Sequence, residues 1–196
     1  MIALHNITAA ILAGGKSSRM GTDKALLKIG DAAFIERIAR TARSVFERVI
    51  LISDANEKYS SLPLPIYLDL FPQCGPLGGL HSALVHSSTP YVFVTPCDLP
   101  LITAAMIQEL VENACEAEIA IVSDGAHTQP LFGIYPISLQ SHIEQALHSG
   151  TRSLFNFLSG KEVEVLDFSH YKHELCNINT QEEWREVVEK NDRQSV

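Results

Sequence analysis

The chain has 196 residues, a formal net charge of -8 at pH 7 and a hydrophobic content of 46%. This acidic balance argues against nonspecific binding to nucleic acid or to an anionic membrane, since either would need a net basic face. No apolar run approaches the ~20 residues that cross a bilayer, and no signal peptide is evident, so we expect a cytoplasmic location. The length predicts one domain over residues 1–190, with a frayed tail at 191–196.

Short apolar runs alternate with segments of helical spacing, a pattern that predicts βαβ units and a mostly parallel sheet. Strands are predicted at residues 9–12, 48–52, 66–68, 91–95, 119–122, 131–135 and 163–166. Helices are predicted at residues 34–46, 80–86, 106–114, 138–150, 153–158 and 180–189. We expect a polar loop at 53–61 and a turn-rich segment at 71–79.

The first predicted strand runs directly into a glycine-rich, cationic loop, in the sequence TAAILAGGKSSRMGTDKALLK. Gly14 and Gly15 have no β-carbon, so the backbone can approach a ligand closely there. Three cations follow within the loop, namely Lys16, Arg19 and Lys24. Together with serine hydroxyls and backbone amides they can bind phosphate oxygens. The segment therefore predicts a site for a nucleoside triphosphate.

The loop lacks the Gly-Lys-Ser/Thr ending of a Walker A motif and the G-x-G-x-x-G of a dinucleotide fold. It resembles the signature L-A-G-G-x-S-x-R-M-G-x-D-K of the nucleotidyltransferase superfamily, particularly of the molybdenum cofactor guanylyltransferases. The residues in register are Leu12, Ala13, Gly14, Gly15, Ser17, Arg19, Met20, Gly21, Asp23 and Lys24. The resemblance implies a three-layer α/β/α Rossmann-like nucleotidyltransferase fold. It also implies that the nucleotide is bound by Leu12, Ala13, Gly14, Gly15, Ser17 and Lys24, and that Arg19 and Lys24 act in catalysis.

A second motif, Pro-Cys-Asp-Leu-Pro, follows the predicted strand at 91–95. Its Asp98 would lie at the carboxyl end of a central strand, on the edge where open α/β sheets bind ligands. Mg²⁺ is usually held by only one or two carboxylates plus substrate phosphates. We therefore expect Asp98 to be a catalytic Mg²⁺ ligand, and the matching aspartate of the family binds the metal and the triphosphate. Taken alone, a strand-terminal turn with a capping aspartate explains this motif about as well.

The third motif is Gly-Pro-Leu-Gly-Gly at 75–79, shortly after Asp69. The resemblance implies that Asp69, together with Pro76, Leu77 and Gly78, contacts the base and sugar of the nucleotide. A tight turn before a helix explains the segment equally well when it is considered alone.

Weaker matches imply four residues at the acceptor site, namely Gln129, Arg152, Asn177 and Asn179. A capped helix start also explains the turn at 177–180, and a solvated arginine explains Arg152. The asparagine that the family carries after the second strand is absent, with Ser53 and Asp54 in its place, so the sequence leaves the ribose contacts open.

The implied reaction transfers GMP from GTP to the terminal phosphate of molybdenum-molybdopterin and releases pyrophosphate. Implied protein partners are molybdenum-insertion proteins and molybdoenzyme chaperones. Three alternatives stay open: a CTP-dependent molybdopterin cytidylyltransferase, another small-phosphate nucleotidyltransferase, and a noncatalytic nucleotide-binding module. The Gly14-Gly15 pair favours a purine nucleotide, and the presence of both Lys24 and Asp98 argues against the noncatalytic module.

Overall fold

The computed structural model describes residues 2–14, 23–55, 57–116 and 118–194. Within these residues the strands are β1 (Ile7–Ala13), β2 (Lys28–Ile29), β3 (Ala32–Ala33), β4 (Arg48–Ser53), β5 (Ile66–Leu68), β6 (Tyr91–Pro96), β7 (Ile119–Ser123), β8 (Thr128–Pro136) and β9 (Val163–Asp167). The α-helices are α1 (Phe34–Val45), α2 (Gly75–His86), α3 (Ala104–Asn113), α4 (Gln140–His148), α5 (Leu154–Leu158) and α6 (Gln181–Gln194). None of the described helices is long and apolar enough to span a bilayer.

Seven strands form one sheet in the order β5-β4-β1-β6-β8-β7-β9, and β2 pairs with β3 separately. Neighbouring strands of the large sheet are parallel except at β8, which is antiparallel to both β6 and β7. The exception follows from the connection, because only residues 124–127 join β7 to β8. A connection this short permits an antiparallel pair, whereas parallel strands need a long crossover. The prediction of a mostly parallel sheet is confirmed.

Helices cover both faces of the sheet and enclose two hydrophobic cores. On one face α1 and α3 bury residues such as Ile38 and Met106 beside Phe93. On the other face α2, α4 and α5 bury residues such as Leu80 and Leu147. All seven residues of β1 are buried because this central strand is covered on both sides. The predicted three-layer α/β/α architecture is confirmed.

Two predicted loops differ from the structure. The segment at 75–79 is helical, because α2 begins at Gly75, and Pro76 suits the first turn of a helix. The polar segment at 53–61 contains a short 3₁₀ turn, Glu57–Tyr59, whose Tyr59 side chain is only 2% exposed. At the other end of the chain, α6 continues to Gln194, past the point at which the sequence predicts fraying. The division into a domain at 1–190 and a tail at 191–196 stays a prediction.

Candidate active site

Four parallel strands, β1, β4, β5 and β6, direct their carboxyl ends to one edge of the sheet. Hydrogen bonds continue this alignment beyond the strands: the Cys97 amide donates to the Leu12 carbonyl at 3.1 Å, and the Asp69 amide donates to the Ser53 carbonyl at 2.9 Å. Asp69 and Asp98 therefore both emerge at the edge where open α/β sheets bind ligands.

The residues that end β1 differ in what they can offer a ligand. Leu12 is 9% exposed and Ala13 is fully buried, so their side chains belong to the core and their backbone groups remain for binding. Gly14 is exposed. A Cβ atom at Gly14 would have its nearest contact 3.9 Å away, at the Asp54 amide nitrogen, so packing within the described protein does not require glycine there. The predicted nucleotide-binding residues Gly15 and Ser17 and the predicted catalytic residue Arg19 lie outside the described residues.

Lys24 is held both by its backbone turn and by its side chain. It begins a 3₁₀ turn, Lys24–Leu26, which Asp23 caps by accepting a hydrogen bond from the Ala25 amide at 3.2 Å. The Lys24 Nζ atom donates a hydrogen bond to Asn179 Oδ1 at 2.7 Å. A cation predicted from the first motif thus meets an asparagine predicted from the last one.

Asp98 is joined to the same asparagine turn. Its backbone carbonyl accepts a hydrogen bond from the Ile178 amide at 3.0 Å. Burial raises the pKa of the Asp98 carboxyl above its usual range, and the nearby positive charge of Lys24 opposes that rise. Beside Ile178, the Asn177 Oδ1 atom is buried and has no hydrogen-bond partner within the described residues. The structure therefore brings together Lys24, Asp98 and the turn that carries Asn177 and Asn179.

Asp69 has one carboxylate oxygen held by the protein. Its Oδ1 atom accepts hydrogen bonds from the Phe71 amide and from the Ser82 hydroxyl, each at 2.9 Å. The Ser82 oxygen in turn accepts a hydrogen bond from the Leu70 amide at 2.9 Å. The other carboxylate oxygen, Oδ2, accepts no hydrogen bond in the part of the chain that the structure describes, so it is available to a ligand.

Helix α2 begins at Gly75, close to Asp69 in the chain. The prediction of a turn-rich segment through residue 79 is therefore wrong from Gly75 onward. In the first turn of a helix the amides have no intrahelical acceptor, so the amides of Gly75 and Leu77 can donate to an anion. The Leu77 side chain is fully buried, which leaves only its backbone for binding. A Cβ atom at Gly78 would lie 2.7 Å from the Phe71 carbonyl oxygen, so packing against the protein itself requires glycine there.

The two remaining predicted acceptor residues, Gln129 and Arg152, belong to other elements of the fold. Gln129 is in the first part of β8, which extends past the paired end of β6. Arg152 donates hydrogen bonds from Nη1 to the carbonyls of Leu147 and Thr151, at 2.7 Å and 3.0 Å, and so caps the end of α4. The interpretation of Arg152 as a solvated arginine is therefore incomplete, because its side chain binds the backbone. Among the described residues, no contact joins it to Lys24 or Asp98.

Two residues that support this edge were missed by sequence reasoning. Ser82 holds Asp69, and Tyr59 donates a hydrogen bond from its hydroxyl to Asp23 Oδ2 at 2.9 Å. Ser82 lies in a helix of mostly small and apolar residues, where one serine carries no distinctive signal. Tyr59 is a single aromatic residue in a polar segment, and only the enclosing structure shows that it is buried.

A three-layer fold with cationic and acidic groups gathered at the carboxyl edge of its parallel strands is typical of α/β proteins that bind ligands at that edge. Comparison with known proteins narrows this class. The model of the MobA-like NTP transferase domain matches residues 9–164, and the chain belongs to that family. It is therefore a nucleotidyltransferase, and enzymes of this kind typically use a divalent metal ion.

Similar proteins extend over nearly the whole chain. A protein named "Probable molybdenum cofactor guanylyltransferase" from Carboxydothermus hydrogenoformans is 34% identical over 191 residues, which cover 94% of this chain and 96% of the relative. A relative of the same name from Clostridium perfringens is 37% identical over 193 residues, covering 93% and 96%. A crystal structure of a protein from Aquifex aeolicus superposes with a TM-score of 0.79 at 32% identity, covering 90% of this chain and 95% of that one. The resemblance stated from the motifs is confirmed.

Proposed function

We propose that the protein transfers GMP from GTP to the terminal phosphate of molybdenum-molybdopterin. An acceptor phosphate oxygen forms a bond to the α-phosphorus of GTP, and the bond from that phosphorus to the bridging oxygen of the β-phosphate breaks. The products are the molybdopterin guanine dinucleotide cofactor and pyrophosphate. Family membership supports this reaction, and one structural observation carries it: Lys24 and Asp98 contact the same turn at 177–179, at the edge of the parallel sheet.

The mechanism needs no general base, because a phosphate nucleophile is already ionised at neutral pH. Catalysis then depends on positioning and on neutralisation of negative charge. Lys24 would neutralise charge on the triphosphate, and Arg19 is expected to add a second cation. Backbone amides after β1 and the hydroxyl of Ser17 would hold phosphate oxygens. The hydrogen bond to Asn179 keeps the Lys24 ammonium at the edge of the sheet.

The chemistry of Asp98 fits a divalent cation, and we assign Mg²⁺ to it. Hard cations prefer oxygen ligands, and Asp98 offers a carboxylate. The Asp98 backbone carbonyl accepts a hydrogen bond from Ile178, and the neighbouring Asn177 Oδ1 atom is a second oxygen that has no partner among the described residues. The free-energy cost of burying a charged carboxylate is lower when a cation lies beside it. Asp98 would hold the ion, which when bound neutralises charge on the phosphate oxygens.

The nucleotide and acceptor would occupy different parts of the edge. The nucleotide would be held by the backbone of Leu12 to Gly15, by the Oδ2 atom of Asp69 and by the first turn of α2 at 76–78. Molybdopterin would lie toward the residues that the weaker motifs imply, which are Gln129, Arg152, Asn177 and Asn179. Because Nη1 of Arg152 already donates to two backbone carbonyls, any contact with the acceptor would use the other guanidinium nitrogens.

We place the reaction in the cytoplasm, with molybdenum-insertion proteins supplying the acceptor and molybdoenzyme chaperones receiving the product. A nucleotide competition experiment tests the central assignment. GTP, CTP, ATP and UTP are compared as donors with molybdopterin as acceptor, and Lys24→Ala is the control variant. Each buried hydrogen bond that the wrong base leaves unmade costs about 1–3 kcal/mol, so GTP should be preferred by roughly 5- to 150-fold.

Each alternative gives a different result in that experiment. A preference for CTP would reassign the protein as a cytidylyltransferase. Binding of GTP without release of pyrophosphate, with acceptor and Mg²⁺ present, would show a noncatalytic nucleotide-binding module. Transfer to other phosphate acceptors in preference to molybdopterin would show another small-phosphate nucleotidyltransferase.

A further inference from the structure

Tyr59 connects the core to the residue that precedes Lys24. Its ring is 2% exposed and lies in the core beneath β1 and α1. Its hydroxyl donates a hydrogen bond to Asp23 Oδ2 at 2.9 Å. Burial raises the pKa of Tyr59 well above its usual value, and the Asp23 carboxylate adds to that rise, so the hydroxyl keeps its proton and remains a donor at neutral pH.

Both carboxylate oxygens of Asp23 are occupied by the protein. Oδ1 accepts a hydrogen bond from the Ala25 amide at 3.2 Å, and Oδ2 accepts the hydrogen bond from Tyr59. Lys58 Nζ lies 3.6 Å from the same Oδ2 atom. Ala25 is fully buried. Lys24 therefore stands between two anchored neighbours, one held from the 57–59 turn and the other held by the core.

We propose that Tyr59 is a positioning residue for nucleotidyl transfer, which through Asp23 fixes the Lys24 ammonium at the triphosphate. This inference rests on the proposed function, because it assumes that Lys24 binds the triphosphate.

A second buried tyrosine shows what a purely structural role looks like. Tyr135 is also fully buried, and its hydroxyl donates to the backbone carbonyl of Pro130. A carbonyl is enough to satisfy a buried hydroxyl. Tyr59 instead uses a carboxylate adjacent to the site lysine, and this hydrogen bond joins segments 36 residues apart in the chain.

Tyr59→Phe tests the proposal because it removes only the hydroxyl and leaves the ring in the core. Binding of GTP with Mg²⁺ is measured by calorimetry, and kcat and KM for GTP are measured at saturating molybdopterin. We expect the KM for GTP to rise and kcat/KM to fall by about 10- to 100-fold, because small misplacement of a site group has effects of this size. Tyr135→Phe is the matched control, which should lose stability while its GTP affinity stays unchanged.

A double-mutant cycle with Asp23→Ala, which removes the acceptor, tests whether Tyr59 acts through Asp23. If it does, Tyr59→Phe has little further effect on GTP affinity in the Asp23→Ala background. Unchanged GTP affinity and kinetics in folded Tyr59→Phe, additive losses in the double variant, or an equal loss of affinity in Tyr135→Phe would each overturn the inference. A wild-type protein that binds GTP but transfers nothing to molybdopterin would refute the proposed function instead, and the binding data would still decide the role of Tyr59.

Discussion

Two adjacent glycines of α2 provide a direct test of how the site edge is packed. Gly78 and Gly79 are both buried. A Cβ atom at Gly78 would lie 2.7 Å from the Phe71 carbonyl oxygen, whereas a Cβ atom at Gly79 would meet the Leu12 Cδ1 atom at 3.2 Å. The first obstacle is backbone, and the second is the end of a side chain that can rotate. Gly78→Ala and Gly79→Ala are therefore a matched pair that differs in what must move.

The expected magnitudes follow from two opposing terms. Alanine stabilises a helix interior by about 1 kcal/mol relative to glycine. Overpacking a core costs about 1–3 kcal/mol. At Gly78 the cost should lie at the upper end, since the Phe71 carbonyl cannot turn away, and the net loss of stability is about 2 kcal/mol. At Gly79 the cost should lie at the lower end, and the two terms nearly cancel.

Urea unfolding of both variants measures the stability difference, and calorimetry with GTP measures its effect on the site. Gly78→Ala should also weaken GTP binding, because the Phe71 amide donates a hydrogen bond to Asp69 Oδ1 and moves with its backbone. Equal free energies of unfolding for the two variants would contradict the packing argument. If Gly78→Ala lost GTP affinity at unchanged stability, glycine would be needed there for ligand approach, as the sequence motif implied.

Further predictions concern the three polar groups of the edge. Ser82→Ala removes a hydrogen-bond partner from both Asp69 Oδ1 and the Leu70 amide. The free energy of unfolding should therefore fall by about 1–3 kcal/mol, and GTP affinity should fall as well. The control, Ser44→Ala on an exposed helix face, should change neither quantity. Lys24→Ala and Asp98→Ala should each slow transfer by up to about a thousandfold, since two unit charges ~4 Å apart interact by roughly 4 kcal/mol at an effective dielectric near 20. Titrations should show a weaker Mg²⁺ response for Asp98→Ala only and weaker GTP binding for Lys24→Ala, and near-normal turnover by either folded variant would remove that residue from the mechanism. Asp98→Asn should stabilise the metal-free protein at pH 7. Burial raises the pKa of Asp98 in the folded state, so the folded state holds the proton more tightly than the unfolded state does. The stability of the wild type therefore falls as the pH rises from the usual carboxyl range through the raised pKa. Unfolding in a chelator across this pH range should show that slope in the wild type but not in Asp98→Asn, and identical slopes would contradict the assignment.

The sheet was predictable because its central strands are buried on both faces and so appear as continuous apolar runs. Residues 48–52 and 91–95 were predicted as strands, and they lie in β4 (Arg48–Ser53) and β6 (Tyr91–Pro96), which are mostly buried. The start of α2 was not predictable in the same way. Glycine and proline dominate 75–79 and are typical of turns, but burial of Leu77 and the packing of Gly78 against Phe71 favour a helix there. Tertiary packing overrides local propensity at this position.

The site was predictable where one short motif carries the chemistry, as at Lys24 and Asp98, although their roles stay predictions. Contacts between distant segments could not be read from the sequence. Arg152 has the residue type and loop position of a phosphate ligand, yet its Nη1 donates to the carbonyls of Leu147, near the end of α4, and of Thr151. Tyr59 lies in a segment whose composition indicates a solvated loop, and only the neighbouring core shows why its hydroxyl meets Asp23.

The turn before α6 connects Lys24, which follows the N-terminal loop, to Asp98, which follows the central strand β6. Asn179 accepts a hydrogen bond from Lys24, 155 residues earlier in the chain, while its own amide donates to Glu183 at 2.6 Å. In the same helix Trp184 donates from Nε1 to the Lys28 carbonyl at 2.8 Å, just beyond the Lys24 turn. The turn before α6 therefore contacts Lys24, and the first part of α6 contacts Lys28. Asn179 and Trp184 lie beyond the 9–164 range of the family match, so a segment after the last strand contributes to the environment of Lys24.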